Sequence, residues 1–157
     1  MEAYYIVNDP KDPLAVKATE IRKQDYLFWK DAKPDLEDDF DISCHTLATR
    51  TGLSERRTRD ITMALYRLAE LPLTMALQET YYFLDFSRLI TIDAVLSKLG
   101  DVPAETLERI DQELSRYLTP SKPRQVLPSN TNLRRKLNGL IAIENPSTEE
   151  NKEACLL

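Results

Sequence analysis

The stretch "LATRTGLSERRTRDITMALYRLAELP", Leu47–Pro72, decides how this chain folds. One glycine, Gly52, divides it into a short helix and a long one. Glycine takes the left-handed conformation that ends a helix without a steric cost. Ser54 follows, and its hydroxyl can accept from the backbone at the start of the second helix. Ile61, Ala64, Leu65 and Leu68 then recur at three- and four-residue spacing, which places them on one buried face. Pro72 ends this helix and suits the first turn of the next.

Those offsets fit a helix-turn-helix. Ala48 stands where the two helices cross and Gly52 stands at the turn, while Leu53, Thr58 and Ile61 lock the second helix onto the first. Thr58 departs from the Ile or Val usual at its position. In this register Ser54, Glu55, Arg56, Arg59, Asp60 and Met63 point outward where base edges would lie. Arg57 and Arg50 reach toward phosphates. The same spacing also describes a plain helical hairpin with a solvated face, and both readings stay open at this point.

Working outward, the helical spacing continues and the chain has only three glycines. The pattern predicts an all-α bundle of about six to seven helices. A first helix fits Pro13 to Lys33, with Leu14, Ala18, Ile21, Leu27 and Phe28 on one side. "KPDLEDDFD" interrupts it with a proline and five acids. Ser43 is expected to cap the short helix that runs through Arg50. A helix to about Thr80 follows Pro72. Asp85 or Ser87 opens another to Leu99, closed by Gly100. Pro103 starts one through Leu118 with Leu107, Ile110, Leu114 and Leu118 inward. "TPSKPRQVLPS" is a connector with little room for helix. Ser129 or Thr131 caps a last helix carrying Leu133, Leu137, Leu140 and Ile141. Three segments result: 1–42, an N-terminal helix and acidic linker; 43–146, the helical domain with the helix-turn-helix-like pair at 43–71; and 147–157, a polar tail.

The net charge is −5, which argues against an indiscriminate nucleic-acid binder, but the distribution is uneven. Residues 48–72 carry a net +2, and residues 114–143 carry six basic groups and no acid. Phosphates respond to charge within about one Debye length, roughly 8–10 Å, so basic islands can bind on an acidic protein. The second island includes Arg134, Arg135 and Lys136 on the last helix. A solvated helix face or a surface for an acidic partner explains it equally.

Other constellations point to little chemistry. The carboxylates Asp35, Glu37, Asp38, Asp39 and Asp41 lack the glycine and closing glutamate of a calcium loop. They would repel phosphate, so a DNA-binding surface here needs this loop to point away. Cys44 and His45 are adjacent on a helix and do not face each other. The aromatics Tyr81, Tyr82, Phe83 and Phe86 read as core packing or a partner surface. No Gly-rich phosphate loop, G-x-S-x-G, HExxH or CxxC occurs. No cofactor, metal or small-molecule substrate is indicated. No apolar run approaches a membrane span, and the first residues do not resemble a signal peptide, so the cytoplasm is expected.

Taken in order, "LATRTGLSERRTRDITMALYRLAELPLTMAL", "FSRLITIDAVL" and "YLTPSKPRQVLPSNTNLRRKLNGLIA" resemble the helical N-terminal domain of actinobacterial HNH endonuclease proteins, the 13E12 repeat family. The resemblance covers about Ser43 to Pro146. It implies a helical domain that precedes an HNH nuclease module. That chemistry needs several histidines, whereas this chain has one, His45, and ends at Leu157. No catalytic residue is carried over, and the chain is expected to be non-catalytic. The resemblance and the basic islands together suggest DNA binding or DNA positioning, through Ser54, Arg56, Arg57, Arg59, Arg134, Arg135 and Lys136. The alternative is a helical module that holds a protein partner or a second copy without touching DNA.

Overall fold

The computed structural model describes residues 6–7, 11–36, 39–121 and 125–144. Among these it is all-α, with one minimal exception. Strand β1 (Ile6–Val7) pairs antiparallel with β2 (Gln125–Val126), Ile6 opposite Val126. The seven helices are α1 (Pro13–Ala32), α2 (Phe40–Thr51), α3 (Glu55–Ala69), α4 (Pro72–Tyr81), α5 (Phe86–Leu96), α6 (Ala104–Leu118) and α7 (Asn130–Glu144). A 3-10 turn, Ser97–Leu99, extends α5 to Gly100. The expected tail, 147–157, lies outside the described residues, as do Glu37 and Asp38 of the acidic linker.

Side chains cap four helix starts, and those at Ser54, Asp85 and Ser129 act where the sequence put them. Asp12 accepts from Leu14 N, Ser54 from Arg57 N, Asp85 from Arg88 N and Ser129 from Asn132 N. Each satisfies a backbone donor that has no partner within its own helix. Ser43 behaves differently. Helix α2 begins four residues earlier than a cap at Ser43 implies, at Phe40, after Asp39 in a left-handed conformation (φ 46°). Ser43 therefore sits in the first turn, where its own N–H bonds to Asp39 O at 2.9 Å.

Helix α5 is central, because α3 and α7 both pack along it, while α4 packs on α6. Leu65, Leu68, Ile110, Leu114 and Leu137 are buried in one core, with Leu107 and Ile141 half-buried against it. This matches the stripes expected for α3, α6 and α7.

The stripe expected on α1 is not the buried one. Leu14 is 77 % exposed, and Ile21, Leu27 and Phe28 also face solvent. Tyr26 and Trp29 are buried instead. Polar anchors set this rotation. Tyr26 Oη donates to Glu79 at 2.9 Å, Lys30 pairs with the same carboxylate, and Arg22 Nε donates to Tyr82 O at 3.0 Å. Trp29 meets Phe86 edge to face at 6.0 Å. Turning α1 to bury its aliphatic row would break all of these contacts.

Lys30 holds the Glu79 carboxyl below the usual carboxylate range through its hydrogen bond, and Tyr26 adds to this. A depressed folded pKa means that the stabilisation is complete above the unfolded value, about 4.3 for Glu. It is lost as pH falls through the lower folded value. Acidification below about pH 4 is therefore expected to loosen α1. Trp29 is the single tryptophan and reports on that docking. Its fluorescence should shift with acid in the native chain and much less in Glu79→Gln. Identical acid profiles for the two proteins would refute the assignment.

Candidate nucleic-acid interface

The α2–α3 pair has the burial pattern of a helix-turn-helix at four of its five diagnostic positions. Ala48, Thr58 and Ile61 are buried, and Gly52 is left-handed at φ 76° with its N–H on Ala48 O. Nothing lies within 4 Å of a Cβ built on Gly52, so its backbone angle, rather than space, calls for glycine. Thr58 is 0 % exposed although Ile or Val is usual there. Its Oγ1 donates to Ser54 O at 2.9 Å, so the hydroxyl is satisfied inside its own helix. Leu53 is the departure: it remains 39 % exposed.

The outward row of α3 is of mixed sign. Ser54 is exposed, but its oxygen already caps Arg57 N at 3.0 Å. Arg56 and Arg57 are exposed, and neither has an ion pair among the described residues. Glu55 is engaged by His45. Arg59 is not free. Its guanidinium lies 2.5 Å from Asp41 and stacks 5.7 Å from the Phe40 ring. The Asp41 hydrogen bond raises the Arg59 pKa above its ordinary value. A DNA-binding surface here needs the acidic segment to point away from this face. Asp41 instead belongs to α2 and lies across α3, because α2 starts at Phe40 and not at Ser43.

The second island spans α6 and α7, with Lys122 and Arg124 outside the described residues. Arg134 and Arg135 are exposed, while half-buried Lys136 lies 5.5 Å from the Tyr117 ring. Arg116 is paired with Glu113 at 3.0 Å. Helices α3 and α7, which carry the exposed arginines of the two sets, both pack along α5 and not broadly on each other.

Sequence reasoning missed a groove of about 570 Å³ beside the α2–α3 turn. The second half of α1, the turn and the start of α5 line it. Arg50 and Arg57 stand in it together, with Asp25, Phe28, Trp29, Leu53, Ile61 and Phe86. The adjacent aromatics Phe28 and Trp29 were the available signal. Phe28 had been placed on the buried side, which hid its role. Cys44 is buried, and burial pushes its thiol up, whereas His45 is exposed, so the two form no reactive pair. Among the described residues no group of three or more His, Cys, Asp or Glu could hold a metal ion. No described helix is long and apolar enough to cross a membrane.

No family model, curated protein or solved structure matches this chain. Geometry and charge carry the functional reading.

Proposed function

We propose that the chain is a non-catalytic DNA-binding or DNA-positioning module of an HNH-endonuclease-type protein, with α3 as the helix presented to a groove. The observation that carries this is the helix-turn-helix burial pattern beneath an α3 whose Arg56 and Arg57 are exposed and unpaired. Arg50 adds a positive group at the end of α2. Arg134 and Arg135 supply phosphate contacts on a separate helix. A second reading, a module that binds protein without DNA, is favoured by Leu14, Ile21 and Phe28. These residues recur every seventh position and are all exposed on α1.

Fluorescence anisotropy on random duplex at about 50 mM salt tests the proposal, with affinity followed as salt rises. Each neutralised phosphate adds about −0.9 to the slope of log affinity against log salt. Arg56→Ala/Arg57→Ala should flatten the slope by about two such units, if both arginines meet phosphate, and weaken binding at least tenfold. Arg134→Ala/Arg135→Ala should weaken all sequences alike. Asp41→Asn releases Arg59 and removes a repelling carboxylate, so affinity should rise about two- to fivefold. Absence of binding by the native chain up to tens of micromolar would eliminate the DNA reading and leave the interaction module.

A further inference from the structure

Four of the twelve arginines hold ion pairs among the described residues. Arg59 meets Asp41, Arg67 meets Asp93 and Glu70, Arg88 meets Asp85, and Arg116 meets Glu113. Arg50 and Arg57 differ. Both are exposed, neither has an ion pair among the described residues, and both stand at the same groove. Acids outnumber bases in the chain by 26 to 21, so partners for two arginines are not scarce overall. Asp25 lines the same groove, yet makes no ion pair with either.

The floor between these charges is apolar. Trp29 and Ile61 are buried at its base, and Phe86 is half-buried beside them. Phe28, 47 % exposed, and Leu53 remain open to solvent. The volume, about 570 Å³, falls in the range of clefts that enclose a ligand or an anchoring side chain.

We infer that this groove is a docking site for an acidic peptide segment of a partner protein, in which a bulky apolar anchor fills the cleft and flanking carboxylates meet Arg50 and Arg57. Charge selects the acid, because planar guanidinium groups match carboxylates geometrically. Ring geometry selects a side-chain anchor over a stacked base. Trp29 stands edge-on to Phe28 at 6.1 Å with an interplanar angle of 87°, and to Phe86 at 6.0 Å and 74°. Trp29 is 5 % exposed and offers no open ring face, whereas bases bind by stacking on ring faces. The site shares Arg50 and Arg57 with the proposed DNA contact, and Phe28 and Arg56 tell the two apart.

Panning a phage-displayed random peptide library on the full chain tests the site. Enriched sequences should converge on an aromatic or large aliphatic residue flanked by Asp or Glu. A synthetic copy of the leading sequence should change Trp29 fluorescence on binding, because that ring forms the groove floor. Arg50→Glu and Arg57→Glu should each weaken the peptide by about tenfold or more. Phe28→Ala should weaken it comparably, and Arg56→Ala should leave it unchanged. Circular dichroism checks that each variant is folded. Duplex binding, measured in parallel, should respond to Arg56→Ala and not to Phe28→Ala, so failure of the DNA proposal and failure of this one give different patterns. No convergence on acidic sequences, or convergence on peptides indifferent to both arginine reversals, overturns the site. Loss of duplex affinity in Phe28→Ala without any peptide binding overturns it as well, in favour of a nucleic-acid cleft.

Discussion

Asp111→Ala should destabilise the fold by about 2–4 kcal/mol, a large effect for a single polar side chain. Helix α4 opens directly after Leu71, which offers no capping oxygen. Pro72 at its first position has no N–H to satisfy. The next two donors, Leu73 N and Thr74 N, point at Asp111 of α6, at 2.8 Å and 2.9 Å. Thr74 Oγ1 adds a third bond at 2.7 Å. Asp111 is only 2 % exposed, so one buried carboxylate from another helix caps α4 with both of its oxygens. Removing it leaves the buried Thr74 amide and hydroxyl unsatisfied, together with the part-buried Leu73 amide. Asp111→Asn keeps the shape but turns an NH₂ group toward one of the donors, and should lose roughly half as much. Urea denaturation followed by far-ultraviolet circular dichroism measures both. A loss below about 0.5 kcal/mol in the alanine variant would show that α4 does not depend on this cap.

That cap illustrates which features a single sequence reveals. Local signals were legible: the glycine stop at Gly52, the caps at Ser54 and Asp85, the proline start at Pro72, and the apolar stripes of α3, α6 and α7. Each depends on residues within one or two turns. Features that depend on distant partners were hidden. The missing cap before Pro72 shows in the sequence, but its supplier lies 38 residues away from Leu73. Arg88 is buried because it holds Pro128 O, 40 residues on, at 2.9 Å. Gln78 is buried because its amide closes the turn at Leu84, bonding both N–H and C=O.

Helix α1 fails for the same reason. Its aliphatic row gave the stronger periodicity, but tertiary partners chose the aromatic and polar row. The candidate site divides likewise. The exposure of Arg56 and Arg57 follows from helical phase alone. The capture of Arg59 by Asp41 depends on where α2 begins, and the expected cap at Ser43 misplaced that start by four residues. The Arg50–Arg57 groove needs four separate helices to meet, which no local pattern encodes.

Leu114→Ala and Leu14→Ala, compared directly, test whether the bundle rather than helix α1 carries the stability. Both residues stand on periodic apolar stripes. Leu114 is fully buried on α6, which packs against α4 and α7. Truncating it removes its transfer free energy and leaves a cavity in a close-packed interior, at a cost of about 2–5 kcal/mol. For a chain of 157 residues each kcal/mol lowers Tm by about 2–4 °C, so the variant should melt roughly 4–20 °C below the native protein. Leu14 lies near the exposed start of α1. Its truncation gives up little buried area and exchanges a good helix former for a better one, so the change should stay within about ±0.5 kcal/mol. Differential scanning calorimetry of both variants reads the contrast, and duplex binding below the melting range adds a second readout. Leu114→Ala should keep the native salt slope while folded, because it touches no charged surface. A large loss in Leu14→Ala would mean that the α1 stripe is covered in solution, and sedimentation equilibrium would then show whether a second copy covers it.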